Sequence, residues 1–119
     1  MKLPNDEHAV VPKSKITGYL LSLTHPDGRH KAEVFTRLGF SASAWEELAT
    51  ALRRHTADHE VAKVEPSPFG IRYVVEGELN APDGRTPAIR SVWFIDTGEQ
   101  IPRFVTAYPL KGEKDDSRT

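Results

Sequence analysis

The chain has 119 residues, which suits one hydrophobic core and is too few for two, so we expect a single domain. With 38% hydrophobic and 28% charged residues, the composition excludes a membrane-embedded chain and a disordered one, and a net charge of −1 removes any global attraction for polyanions. No cysteine is present, which excludes disulfides, thiolate metal sites and cysteine nucleophiles, and we expect a cytoplasmic protein that does not enter membranes.

The first two predicted helices occupy residues 12–23 and the segment from the break at residues 26–28 to Gly39. Helical spacing of three and four places these side chains on one buried face of the first helix: Ile16, Tyr19, Leu20 and Leu23. The second helix repeats the spacing at Lys31, Val34, Phe35 and Leu38. Lys31 on this face is expected to lay its aliphatic stem over the core and its ammonium beside the sheet. Gly39 occupies a typical C-cap position.

A third helix is predicted from Ser43, which forms a capping-box pattern with Glu46, to about Thr56. From residue 60 onward, short runs rich in β-branched and aromatic residues predict four strands, at residues 60–65, 69–79, 88–96 and 103–110. The connections between them are short, and one contains the turn signal Asp83-Gly84, so neighbouring strands should be antiparallel.

Helices followed by strands indicate an α+β fold, in which about three N-terminal helices pack on one face of a four-stranded antiparallel meander. We expect this single domain to cover residues 1–110. The polar segment 111–119 is expected to be a disordered tail.

The densest polar cluster is HPDGRHK, where His25, Arg29, His30 and Lys31 crowd the start of the second helix. Backbone N–H groups at a helix start favour an anion and disfavour a protonated histidine, so His30 can accept a proton beside a bound phosphate. The alternative, non-functional interpretation is a solvent-exposed helix start whose charges only increase solubility. Spacing alone does not decide between the two.

The last predicted strand, RFVTAYP, carries the second group of candidates. Alternation predicts Phe104, Thr106 and Tyr108 on one face and Arg103, Val105 and Ala107 on the other. A hydroxyl and a phenol two residues apart can bond a phosphate and stack on a base, as in single-stranded RNA sites. Thr and Tyr are also common strand residues, so structure alone can explain Thr106 and Tyr108. On the middle strands, Arg72, Arg90 and Trp93 either line a phosphate groove or solvate one face and fill the core.

His55 and His59 have the i, i+4 spacing of a helical metal pair, but Asp58 is the only other ligand type nearby. We therefore predict no metal site, and no cofactor. The sequence also contains no Gly-rich phosphate loop, nucleophile elbow or paired-carboxylate signature, which leaves kinases, dinucleotide enzymes, α/β-hydrolases and glycosidases without support.

Several segments resemble a bacterial domain family to which no activity is assigned: MKLPN, HPDGRHKAEVFTRLGF, VWFI and PRFVTAYP. More distantly, a helix bearing histidine and lysine, followed by a four-stranded sheet whose last strand reads VTAYP, is similar to the barnase, EndoU, colicin D and RelE-like ribonuclease toxins. This second resemblance implies metal-independent RNA cleavage. It implies that His30 removes the proton of a ribose 2′-OH or protonates the leaving oxygen, with His25 as the second proton-transfer group.

The same resemblance implies roles for four further residues. Lys31 and Arg103 would stabilise charge on the phosphorane, Thr106 would hold a phosphate oxygen, and Tyr108 would stack or bond at the scissile nucleotide. Arg29, Arg72 and Trp93 would contact the substrate. A small cognate immunity or antitoxin protein would be the partner.

Two interpretations follow. One is a ribonuclease-type toxin domain acting on RNA; the other is a non-catalytic interaction module, such as the partner half of a two-gene pair, which binds protein through a sheet edge or an aromatic strand face. The near-neutral charge suits the second. The deciding geometry is whether the start of the second helix overhangs the sheet closely enough to reach Thr106 and Tyr108.

Overall fold

Three helices precede four strands, and the structure describes them within residues 1–22, 24 and 29–110, apart from the side chains of Arg29 and His30. In this computed structural model, the helices are α1 (Lys13–Lys15), which continues directly as a π-helical turn (Ile16–Leu20), α2 (Arg29–Arg37) and α3 (Trp45–Asp58). The strands are β1 (Val61–Ser67), β2 (Gly70–Glu78), β3 (Ala88–Asp96) and β4 (Arg103–Pro109). Short 3₁₀ turns lie at Asp6–His8 and Ala42–Ala44. The predicted α+β fold is confirmed.

The strands form one antiparallel meander in the order β1-β2-β3-β4. The helices cover one face of this sheet, and the core between them contains the largest fully buried side chains of the described chain, among them Trp93, Phe35, Phe104, Ile16, Leu20, Leu48 and Leu52. The pairing register places a second set of side chains on the sheet face away from this core, which we call the outer face: Lys63, Glu65, Arg72, Val74, Glu76, Arg90, Val92, Phe94, Arg103, Thr106 and Tyr108.

A β-bulge at Val105 changes the predicted alternation of β4. Thr106 pairs with Val92, whereas Phe104 pairs with the next residue of β3, Trp93, so one residue of β4 has no partner. Phe104 is therefore buried on the core side, with its ring 5.3 Å from that of Trp93. The prediction that Phe104 shares a face with Thr106 and Tyr108 was wrong, since only the last two lie on the outer face.

The two edge strands of the sheet, β4 and β1, differ in what lies beside them. Along β4, the N-terminal segment adds one parallel bridge between Val10 and Arg103, in which the Phe104 amide donates to the Val10 carbonyl at 2.9 Å. Residues of α1 and α2 contact the same strand. At the other end of the sheet order, β1 pairs with β2 as its one strand neighbour among the described residues, and the Val61 amide also donates to the Met1 carbonyl at 2.7 Å. Among the described residues, no helix is long and apolar enough to cross a membrane.

Two predicted helix boundaries need correction. The first helix is shorter than residues 12–23, and Leu23 lies outside the described residues. The third begins after a 3₁₀ turn, its N-cap is Ala44 without a side-chain hydrogen bond, and the Ser43 hydroxyl instead lies 3.3 Å from that of Ser41. The predicted capping box is therefore wrong. The predicted end of the second helix agrees with Gly39, whose φ of +105° suits glycine. Segment 111–119 lies outside the described residues.

His55 on α3 joins the helices to the sheet through a buried hydrogen-bond chain. Its Nε2 lies 3.0 Å from the Gly77 carbonyl and 3.1 Å from the Ile89 carbonyl. Because carbonyl oxygens only accept, Nε2 carries the proton. The Ser91 hydroxyl can then donate to Nδ1 across 3.0 Å while it accepts from Trp93 Nε1 at 2.9 Å.

This network accounts for one member of the histidine pair considered as metal ligands. Both ring nitrogens of His55 are used inside the fold, and His59 Nε2 donates to the Glu78 carbonyl at 2.8 Å. No group of three or more potential ligands occurs within the described part of the chain. The pair is therefore explained by packing and hydrogen bonding.

Protonation of His55 should destabilise the protein. Burial, assisted by the nearby His59, lowers the pKa of the His55 imidazole, although hydrogen bonds to the Gly77 and Ile89 carbonyls act in the opposite direction. The unfolded chain then binds a proton at higher pH than the folded chain, so His55 lowers stability as the pH falls through about 6.5. We expect urea denaturation to give a larger loss of stability between pH 7.5 and 5.5 for the wild type than for His55→Gln. Equal losses in both proteins would contradict this assignment.

Candidate active site

The first turn of α2 meets the last strand at Lys31. Its ammonium donates to the Tyr19 hydroxyl at 2.6 Å and to the Thr106 hydroxyl at 3.2 Å. The two hydroxyls are 3.3 Å apart, so the three groups form a closed triangle. The Lys31 Nζ also lies 5.0 Å from the centre of the Tyr19 ring and 5.7 Å from that of Tyr108. We call these four residues the Lys31 cluster, which lies where the helix layer overhangs the β4 edge.

Lys31 differs from the arginines of the outer face because it has no acidic partner among the described residues. Arg72, Arg90 and Arg103 each form an ion pair, with Glu65, Glu76 and Asp96 respectively. Among the described residues, the contacts of Lys31 are two hydroxyls and two aromatic rings. A partly buried ammonium surrounded by neutral groups attracts an anion more strongly than a paired one does. The cluster is therefore an anion-binding candidate.

Tyr19 is a functional candidate that the sequence interpretation missed, because its spacing assigned it to the buried face of the first helix. Partial burial on its own raises the pKa of this phenol, but hydrogen bonds with Lys31 and Thr106, together with the charges of Lys31 and Lys15, lower the pKa overall. The Lys15 ammonium lies 5.5 Å from the ring centre. A lowered pKa raises the fraction of phenolate near neutral pH, and the phenolate is the form that accepts a proton.

Two features indicate that Tyr19 is a functional residue, one in the sequence and one in the local backbone. A lysine one helical turn earlier, Lys15, places a cation on the same helix face as a hydroxyl-bearing ring. The π-helical turn that contains Tyr19 is a rare conformation, frequently found at functional sites.

Replacing Lys31 with Met should raise the pKa of the Tyr19 phenol, because the strongest donor and the nearest charge are both removed. Ultraviolet titration of tyrosine absorbance, assigned by comparison with Tyr19→Phe, measures the change. Lys13→Met is the matched control, since Lys13 is an exposed lysine of α1, the helix that continues into the turn carrying Tyr19. An unchanged Tyr19 titration in Lys31→Met would contradict the proposed coupling.

Tyr108 connects the Lys31 cluster to a groove of about 260 Å³ on the outer face. The side chains that line it include Lys63, Arg72, Val74, Glu76, Arg90 and Tyr108. Arg90 Nε donates to Glu76 Oε2 at 2.7 Å, and the guanidinium lies 5.7 Å from the centre of the Tyr108 ring. The Tyr108 ring therefore lies near two cations, Lys31 and Arg90. Arg72 and Arg90 both line this groove, and each is paired with a glutamate, Glu65 and Glu76 respectively.

Two other predicted site residues, Arg103 and Trp93, do not join Lys31. Arg103 is at the start of β4, paired with Asp96 at 2.9 Å and stacked on Phe94, and with a strand rise of about 3.3 Å per residue its Cα lies roughly 15 Å from that of Tyr108. Trp93 is fully buried in the core, which does not fit its expected contact with substrate. His25 lies outside the described residues, and the side chains of Arg29 and His30 are not described.

Comparisons with known proteins place the chain in a family. The sequence profile described as "Domain of unknown function (DUF6883)" matches residues 2–111. The chain belongs to this family. The resemblance to a bacterial domain family without an assigned activity is thus confirmed. Among curated protein sequences, none is significantly similar.

A solved structure shares the fold. It is a chain from the "Contact-dependent growth inhibition toxin - immunity protein complex from Klebsiella pneumoniae 342", with a TM-score of 0.67 and 20% sequence identity. The match covers 85% of the present chain and 99% of that chain. At this identity the comparison establishes a common architecture.

Proposed function

We propose that this protein is a toxin-system domain that cleaves RNA without a metal ion, by attack of a ribose 2′-OH on the adjacent phosphodiester. The observation that carries the proposal is the Lys31 ammonium, which has hydroxyl and aromatic neighbours but no acidic partner among the described residues. The structural relative from a toxin–immunity complex supports a role in such a system, for either half of the pair.

Lys31 and Thr106 are the proposed phosphate ligands. A phosphate oxygen that accepts from the Lys31 ammonium and the Thr106 hydroxyl carries increasing negative charge as the pentacoordinate transition state forms. Since both donors are already held in place through Tyr19, little reorganisation is needed during the reaction. This arrangement favours the transition state over the ground state.

Proton transfer is assigned to Tyr19, His30 and His25. One of these groups accepts the 2′-OH proton as the 2′ oxygen bonds to phosphorus, and another returns a proton to the 5′ oxygen as its bond to phosphorus breaks. The lowered pKa of the Tyr19 phenol suits the accepting role. His30, with His25 as the second group, is proposed for the donating role. The products are a 2′,3′-cyclic phosphate and a free 5′-OH.

The remaining predicted residues are assigned to the flanking substrate. Tyr108 is proposed to stack on the nucleotide at the scissile bond. Arg29 is proposed to contact a neighbouring phosphate, and Arg72 is proposed to contact the bound nucleotide from the outer-face groove. Arg103 is assigned to a more distant phosphate because it lies at the far end of β4. A small cognate immunity protein is the proposed partner.

A non-catalytic interaction module is the second candidate, favoured by the charge distribution. The acidic partners of Arg72, Arg90 and Arg103 offset much of the positive charge on the outer face, which weakens attraction for RNA. The β1 strand forms an end of the sheet, and Val64 on it is 42% exposed. Such an edge accepts a partner strand by hydrogen bonding.

Expression in bacteria, with parallel incubation of the purified protein with total RNA, separates the two candidates. The ribonuclease proposal predicts growth arrest and RNA fragments, both relieved by Lys31→Ala and by His30→Ala. A harmless protein that leaves RNA intact would reject it. The interaction module instead predicts that Val64→Glu, on the β1 edge, abolishes co-purification with the product of a neighbouring gene, while His30→Ala has no effect.

A further inference from the structure

We infer that the groove on the outer face is a binding subsite for a single nucleobase, and that it prefers guanine. The inference rests on the proposed function for its biological meaning, because the base would belong to the nucleotide whose phosphate lies at Lys31. Its physical basis is independent of cleavage and consists of the groove's position, its walls and its hydrogen-bonding groups.

The position follows from Tyr108. The centre of its ring lies 5.7 Å from the Lys31 ammonium and 5.7 Å from the guanidinium of Arg90, which lines the groove, so the contacts of one ring span the anion position and the groove. In a nucleotide, the sugar separates base and phosphate by a comparable span. A phosphate at Lys31 therefore places its own base at the groove and against the Tyr108 ring.

The walls of the groove suit a flat ring. Val74, which is buried, forms an apolar floor, and Tyr108 supplies an aromatic wall on which a base can stack. The volume of about 260 Å³ leaves space for one small planar ligand. Positive side chains at Lys63, Arg72 and Arg90 are nearly balanced by Glu76 in the groove and by Glu65 paired to Arg72. A neutral polar ring fits this balance better than a second phosphate does.

The hydrogen-bonding groups select among the bases. Glu76 Oε2 accepts from Arg90, while Glu76 Oε1 has no hydrogen-bond partner among the described residues. A carboxylate only accepts, and an arginine only donates. Guanine is the one base with two adjacent N–H donors, at N1 and N2, beside the acceptors O6 and N7. It therefore satisfies Glu76 and Arg90 together, whereas the other three bases offer a carboxylate a single donor group.

Titration with nucleoside 3′-monophosphates tests the subsite directly. We expect nuclear magnetic resonance shifts in ¹⁵N-labelled protein to show guanosine 3′-monophosphate binding about tenfold more tightly than its adenosine, cytidine and uridine counterparts, the discrimination typical of one good bidentate contact. In Glu76→Gln this preference should largely disappear. Glu65→Gln is the matched control because it removes the carboxylate of the neighbouring cross-strand pair with Arg72, and it should keep the preference.

The outcomes separate the subsite from the proposed reaction. Equal binding of all four nucleotides, no binding of any of them, or an unchanged preference in Glu76→Gln would overturn the guanine subsite. Selective binding by a protein that leaves RNA intact would support the subsite and reject the ribonuclease. Cleavage of RNA without base preference would support the ribonuclease and reject the subsite. The spectra also report whether each variant is folded.

Discussion

Replacing Lys31 with Met is expected to lower kcat/KM for cleavage of a short RNA about 1000-fold, a loss of the size seen when one preorganised donor to a transition-state anion is removed. Methionine keeps most of the aliphatic stem that packs beside Tyr19 and Tyr108, so the change removes charge and donors with little change in volume. The two hydroxyls of Tyr19 and Thr106 stay in place but lose the cation between them. Binding and reaction are both weakened.

The matched control for this experiment is Lys13→Met, which removes an exposed lysine with no contact to the cluster among the described residues and should leave kcat/KM unchanged. Lys31→Arg should retain part of the activity, because it keeps a charge but not the geometry of a single ammonium. Retention of wild-type kcat/KM by Lys31→Met would remove Lys31 from the mechanism. Chemical denaturation of each variant establishes that the compared proteins are equally folded.

Replacing His55 with Ala is expected to lower the free energy of unfolding by about 3 kcal/mol, the combined effect of a cavity and of unsatisfied buried polar groups. The imidazole is 2% exposed, and its removal leaves the Ser91 hydroxyl and the Gly77 and Ile89 carbonyls without this partner. Urea denaturation at pH 7.5 measures the change. Arg54→Ala, on the exposed side of the same helix, should cost less than about 0.5 kcal/mol.

The His55 network, on the core side of the sheet, also helps to position the candidate site on the outer face. Ser91 and Ile89 flank Arg90 in β3, so the contacts that hold these two residues on the core side fix Arg90 on the outer face. Tyr108 pairs with Arg90 in the next strand. A loss of stability below about 1 kcal/mol in His55→Ala would show that the network contributes little to the sheet.

The fold could be predicted from the sequence because each helix and strand is specified by a local residue pattern. Helical spacing in the first half and β-branched runs in the second predicted the order of elements, and short connections predicted the meander. Lys31 was placed over the core with its ammonium beside the sheet by the spacing of α2 alone. That placement agrees with its contacts to Tyr19 and Thr106.

The remaining features depend on contacts that local patterns do not encode. The bulge at Val105 leaves no mark in a single sequence, and it moved Phe104 to the core. Arg103 was expected to stabilise charge on the phosphorane and Trp93 to contact the substrate, yet Arg103 pairs with Asp96 across the β3–β4 connection and Trp93 fills the core. Tyr19 was assigned to the core because apolar spacing does not distinguish a ring that is buried from one whose hydroxyl reaches a partner.

The most direct test of the Lys31-centred reaction is the chemistry of the RNA ends. Purified protein is incubated, in the presence of a chelator, with an RNA oligonucleotide and with the same oligonucleotide carrying a 2′-deoxy sugar at the cleaved position, and the products are identified by mass spectrometry. Attack by the 2′-OH at this site predicts a 2′,3′-cyclic phosphate from the RNA and no cleavage of the 2′-deoxy substrate. Over the same incubation time, Lys31→Met should cleave neither substrate to a detectable extent. Intact RNA, or cleavage of both substrates, would contradict the account.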